Sequence, residues 1–173
     1  MGKLIVISGP NDSGKSRFAE TLVCAIPGRR LYIATMVPQT DENLARIEKH
    51  RAQREGLGFE VFELPFPVRG APAEKCDAVL LEDISNLLAN GIFDHGANED
   101  AVFGDIIALR DKCAVLAAVT VSGLSPDGWD DETSSYIRAL NSLNERLADA
   151  ADASVEMFRG EPTVRKGDPY GIR

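Results

Sequence analysis

Leu4-Ile5-Val6-Ile7-Ser8-Gly9-Pro10-Asn11-Asp12-Ser13-Gly14-Lys15-Ser16 is the stretch on which the fold turns. A short apolar run ends at a glycine, and residues 9–16 carry Gly, Gly, Lys and Ser at the fixed positions of a phosphate-binding loop before a helical stretch opens at Arg17-Phe18-Ala19-Glu20. Phosphate oxygens need several donors converging at short range. Glycines at positions 9 and 14 let successive backbone N–H groups turn inward without a Cβ in the way, and the helix N-terminus adds partial positive charge. Lys15 is placed to reach the β and γ phosphates as a flexible point charge, and the Ser16 hydroxyl to take a coordination position on Mg²⁺. Asn11, Ser13 and Arg17 complete the nucleotide contacts expected from the loop and the first helical turn. The stretch therefore reads as a strand, a cradle for the triphosphate of ATP or GTP, and a helix.

Outward from the loop, short apolar runs alternate with amphipathic segments. That is the pattern of parallel strands buried on both faces, with a helix in each crossover. Strands are expected at 4–8, 30–34, 59–64 (the weaker third), 78–81, 114–121 and 154–158. Helices are expected at 41–55, with Asp41 as N-cap and Gly56 as stop, at 99–111, and at 133–151, where Tyr136, Leu140, Leu143 and Leu147 share one face. Residues 64–77, with three prolines and a glycine, read as an irregular connection, and 160–173 as a closing strand with a mobile end. The predicted class is an α/β P-loop fold, RecA-like or nucleotide-kinase-like, with a mostly parallel sheet flanked by helices on both faces.

At 173 residues, with 44% hydrophobic and 27% charged residues, the chain has the size and composition of a single globular domain over 1–173. Its net charge of −8 disfavours nucleic acid or an anionic membrane as partner. The apolar run at the N-terminus is too short for a signal peptide or a membrane span, so a cytoplasmic location is expected. Cys24, Cys76 and Cys113 lie far apart with no metal-ligand spacing and read as reduced core residues. Trp129, the sole tryptophan, reads as a packing anchor ahead of a ligand platform.

Two further groups point toward the cradle. Val79-Leu80-Leu81-Glu82-Asp83 is a buried-strand pattern ending in adjacent carboxylates, which places Glu82 or Asp83 at the carboxyl edge of the sheet as the second Mg²⁺-directed group; the bland alternative is a helix N-cap. Arg46, His50 and Arg54, spaced by four, project from one side of their helix as a cationic stripe in an acidic chain. Flanking guanidinium groups keep an imidazole neutral near pH 7, and a neutral imidazole can attack phosphorus while the arginines hold non-bridging oxygens. A solvated helix face is the bland alternative. His95, in Phe93-Asp94-His95-Gly96, has no evident partner.

These residues together resemble the adenosylcobinamide kinase / adenosylcobinamide-phosphate guanylyltransferase family. The resemblance rests on the phosphate loop, Leu31-Tyr32-Ile33-Ala34-Thr35, Asp41 through Arg46-Ile47 to His50-Arg51, Leu80-Leu81-Glu82-Asp83 with Asn90, and Tyr136 through Leu143-Asn144-Glu145-Arg146-Leu147-Ala148 to Asp152. It implies a bifunctional enzyme that phosphorylates adenosylcobinamide with ATP or GTP and then transfers GMP from GTP to the corrinoid phosphate. It implies that His50 carries the GMP covalently, and that the enzyme is a homo-oligomer, a trimer. The chain departs from the family after its longest strand: it reads Thr120-Val121-Ser122-Gly123-Leu124 where the family carries Thr-Asn-Glu-Val-Gly. A P-loop small-molecule kinase without nucleotidyl transfer and a nucleotide-gated regulatory module stay open as alternatives.

Overall fold

In the computed structural model, which describes residues 1–75 and 77–172, the apolar runs become one seven-stranded sheet. Strands β1 (Lys3–Gly9), β2 (Arg30–Ala34), β3 (Phe59–Glu63), β4 (Ala78–Glu82), β5 (Val115–Val121) and β6 (Ala153–Phe158) run parallel, and β7 (Glu161–Lys166) returns antiparallel on β6. Their order is β3-β2-β4-β5-β1-β6-β7, so β5, buried at every position, separates the loop-bearing β1 from β4. β3 is weak because it is the sheet edge, with Val61 half exposed.

Alternation along the central strands sorts side chains to two cores. Leu4, Val6, Leu31, Ile33, Val79 and Leu81 face one side, where they meet the helices α3 (Ile84–Ala89), α4 (Glu99–Lys112) and α5 (Asp131–Ala150). Ile5, Ile7, Tyr32, Leu80, Ala117 and Val119 face the other, against Ala19, Leu22 and Val23 of α1 (Lys15–Cys24). The mostly parallel, two-sided α/β architecture expected from the sequence is the one observed.

Several local expectations are corrected. Helix α2 (Asp41–Arg54) is capped by Thr40, not Asp41: Thr40 is extended and its Oγ1 accepts from the Asn43 N–H at 3.1 Å, leaving Asp41 in the first turn. Asp130 caps α5 through the Thr133 N–H at 2.7 Å, which starts that helix two residues before the expected Thr133. Helix α3, for which the sequence offers only a helix N-cap at Glu82 or Asp83 as an alternative, and the π-helical turn Asn90–Asp94 were given no range in advance. Connection 64–77 is irregular but not detached, since Val68, Ala71 and Ala73 are buried and Asp105 accepts from the Val68 and Arg69 N–H groups at 2.7 and 3.0 Å. Cys113 is a buried free thiol, while Cys24 ends α1 at the rim and is only half-buried; Cys76 lies outside the described residues. Trp129 is 63% exposed and anchors no packing. His95 does have a neighbour, the Phe66 ring at 5.3 Å between centroids.

Candidate active site

The loop between β1 and α1 is shaped by contacts its sequence only partly announces. A Cβ on Gly9 would lie 2.6 Å from both the Met157 carbonyl and the Ser13 hydroxyl, so only glycine lets β1 turn beneath β6. Gly14 takes φ +89° at the N-cap of α1, a left-handed conformation that turns the chain into the helix. The turn after β6 closes over the loop, with Gly160 donating its N–H to the Ser13 carbonyl at 2.9 Å. Lys15 is buried and donates to the Pro10 carbonyl at 3.0 Å, which curls its ammonium over the loop. Burial lowers its pKa, and Asp83 and Glu82 pull it back up. Ser13 Oγ is buried without a partner.

Opposite the loop lies the carboxyl edge of β4, where the two adjacent acids part ways. Asp83 is the N-cap of α3, accepting from the Asn86 N–H at 2.7 Å, with its backbone gripped on both sides by the Thr35 hydroxyl at 2.8 Å. Asn90 ties the same corner, donating to the Thr35 and Pro65 carbonyls at 2.8 and 3.0 Å. Glu82 instead turns to the loop and accepts a hydrogen bond from Ser16 Oγ, while its Oε2 is buried with no partner. Burial pushes its carboxyl up to about 7, with the Ser16 hydroxyl working in the other direction. A hydroxyl pressed on a carboxylate with lone pairs left over is an oxygen donor set that suits a hard cation. Among the described residues no cluster of three His, Cys, Asp or Glu side chains could hold a metal, so a cation here would share its shell with phosphate oxygens and water.

Helix α2 supplies the third wall. His50 Nδ1 is buried without a hydrogen-bond partner and lies 4.0 Å from Glu82 Oε1. Its pKa is lowered from 6.5, first by burial and then by Arg54 and Arg46. The guanidinium argument made from the helical spacing is thus the lesser cause. Arg46 lines the cleft, whereas Arg54, the one buried residue of α2, stacks at 3.5 Å over the Tyr32 ring with Nε and Nη1 unpartnered.

Loop, carboxylate edge and α2 enclose a cleft of about 580 Å³. Of the residues singled out in the sequence, Asn11, Ser13, Gly14, Lys15, Ser16, Arg17, Arg46, His50, Arg54 and Glu82 all line it, and Gly9 lies behind it as the hinge of the loop. The sequence reading gave no site role to Tyr32 and Thr35, quoted there only for the family resemblance, nor to Glu20 and Gln53. Glu20 is buried at 3% exposure on α1 and accepts from Gln53 Nε2 of α2 at 2.6 Å. Only the Asp83-Ile84-Ser85-Asn86 capping pattern ahead of Leu87 and Leu88 was readable in advance.

The family model for cobinamide kinase / cobinamide phosphate guanyltransferase (CobU) matches residues 5–164. The bifunctional adenosylcobalamin biosynthesis protein CobU of Salmonella typhimurium (strain LT2) is 30% identical over 167 residues, covering 86% of this chain and 92% of that protein. The protein of the same name from Escherichia coli (strain K12) is 35% identical over 99 residues, 56% of this chain and 54% of its own length. Among solved structures, an ATPase of the type III secretion system of pathogenic bacteria superposes with a TM-score of 0.50 at 13% identity, over 92% of this chain and 52% of that one, a likeness of fold alone. Among the described residues no helix is long and apolar enough to cross a membrane.

Proposed function

This chain belongs to the cobinamide kinase / cobinamide phosphate guanyltransferase family, and from that premise we propose that one phosphate cradle serves both reactions, with His50 as the nucleophile of guanylyl transfer. The observation that carries this is the meeting of three elements at one point: Ser16 on Glu82, and Glu82 Oε1 4.0 Å from His50 Nδ1.

In the kinase step the backbone N–H groups of the loop and Lys15 hold the β and γ phosphates of ATP or GTP in line with the hydroxyl of adenosylcobinamide. Positioning and charge neutralisation supply most of the catalysis for such a transfer. In the guanylyl step His50, neutral because it is buried beside arginines, attacks the α-phosphorus of GTP. The N–P bond forms as the α–β oxygen–phosphorus bond breaks, and pyrophosphate leaves with the electron pair into the cradle. With Nδ1 turned toward Glu82, Nε2 is the nitrogen left for the attack. Arg46 and the free N–H groups of Arg54 steady the non-bridging oxygens. A phosphate oxygen of the corrinoid then displaces His50 from phosphorus and takes up the GMP. Ser16 and Glu82 would hold Mg²⁺, which when bound neutralises phosphate charge. We further propose one domain over 1–173, acting in the cytoplasm as a homo-oligomer, the trimer that the family resemblance implies, on nucleotide and corrinoid substrates and not on nucleic acid.

The direct test is the intact mass of the protein after incubation with GTP and Mg²⁺, beside ATP and beside His50→Ala. One added GMP, stable in alkali, lost in acid and absent from both controls, is the expected result. A wild-type chain that binds GTP but never gains the mass overturns the nucleophile assignment.

A further inference from the structure

Helix α2 carries the nucleophile yet buries almost nothing of its own. Its single buried residue is Arg54, Leu44 is 49% exposed, and Ile47 is only half-buried. Hydrophobic packing, which docks most surface helices, is therefore not what holds it. Its N-terminal contacts are local, Thr40 to Asn43 and Asn43 to Val37, and the Lys49–Asp12 pair at 3.9 Å joins two exposed side chains, a kind of contact with little hold in water. Apart from His50 Nδ1, which lies 4.0 Å from Glu82 Oε1 without a hydrogen bond, the contacts among the described residues that reach the body of the protein gather in the last turn, where Gln53 Nε2 donates to Glu20 Oε2 at 2.6 Å and Arg54 lies on Tyr32 at 3.5 Å.

Glu20 is one turn beyond Ser16 on α1, and Gln53 is nearly one turn beyond His50 on α2, about 6 and 4.5 Å along their axes. The Glu20–Gln53 bond thus ties the helix of the cradle to the helix of the nucleophile. It lies where the main cleft continues into a second one of about 420 Å³, with Arg17 and Gln53 walling both. We propose that Glu20 is a positioning residue for guanylyl transfer: by gripping Gln53 it latches the last turn of α2, with Arg54 on Tyr32 as the second contact, and so holds His50 over the α-phosphorus. This rests on His50 being the nucleophile. Phosphoryl transfer, carried out on the γ phosphate within the loop, depends on the latch far less.

The test uses the full chain with Gln53→Glu, which sets a second carboxylate against Glu20, and the exchanged pair Glu20→Gln with Gln53→Glu, which restores one amide and one carboxylate. The rate of GMP adduct formation is expected to fall about a hundredfold in Gln53→Glu, the effect of a misplacement near one ångström, with kcat taking the loss and the KM for GTP changing less than about threefold. Deuterium uptake across residues 41–52 rises, ATP-dependent phosphorylation falls by a smaller factor than the adduct rate does, and the exchanged pair recovers most of the adduct rate. An unchanged adduct rate in Gln53→Glu, or adduct and phosphorylation rates falling together without recovery in the exchanged pair, overturns the latch. Should the wild-type chain form no adduct, the nucleophile assignment falls by itself, and uptake across α2 decides the latch: a rise in Gln53→Glu upholds it and no change overturns it.

Discussion

Gly9, Ser13 and Gly14 are fixed by backbone: β1 pairs along its length with β5 and from Ile5 to Ser8 with β6, the Met157 carbonyl crowds Gly9, and Gly160 donates to Ser13. His50, across the same cleft, is carried by a helix whose hydrogen-bonding and stacking contacts to buried side chains come, among the described residues, from two side chains of its last turn. One wall of the site is therefore part of the sheet, and the other is hung on it. A loop that must present several N–H groups at once needs that rigidity, whereas the nucleophile proposed for one of the two reactions can ride on an element of lower local stability.

The largest effect should come from the rigid wall. Lys15→Ala removes the charge both reactions share, so adduct formation and ATP-dependent phosphorylation should each fall about a thousandfold; survival of either at wild-type rate would break the single-cradle picture. Next comes the hung wall. His50→Ala should abolish adduct formation entirely and leave phosphorylation within about tenfold, measured as corrinoid phosphate formed from ATP, and equal losses in both would merge the two walls into one unit.

Glu82, where the walls meet, sharpens the comparison through pH. Its carboxyl is raised from 4.5 to about 7 in the folded chain, so between those values the native state keeps a proton that the unfolded state has released, and stability falls as pH rises through that window. Glu82→Gln removes that slope and should gain on wild type by an amount on the order of 3 kcal/mol between pH 4.5 and 7, read from urea midpoints at both values. Parallel curves for the two proteins would refute the burial of that charge. The smallest effect belongs to Thr40→Ala, which removes the α2 cap. Loss of about 1 kcal/mol of local helix stability should speed amide exchange in the first turn of α2 with the thermal midpoint unmoved. A lowered midpoint would mean that α2 is part of the cooperative core after all.

How legible each wall was follows from the same difference. The loop could be read because its chemistry is local: Gly9, Gly14, Lys15 and Ser16 act within one turn of chain, and their spacing is the signal. Strand existence was legible too, since burial on both faces writes itself as a continuous apolar run, and β2 begins and ends where expected. Helix α3 was not, because six residues are too few for a period to show. The Arg46, His50 and Arg54 stripe was visible as spacing, but spacing could not distinguish a solvated face from a cleft wall, nor say that Arg54 stacks on Tyr32 within that wall.

The sequence by itself thus determined the parallel sheet, the cradle and the family, all of which depend on residue types at short separations. Only the tertiary structure decided that Glu82 and not Asp83 faces Ser16, that burial more than the neighbouring arginines lowers the pKa of His50, and that Glu20 reaches Gln53 across thirty-three positions of chain. Those outcomes depend on desolvation and on contacts between distant residues, which exist only once the crossovers have brought α1, α2 and the end of β4 together.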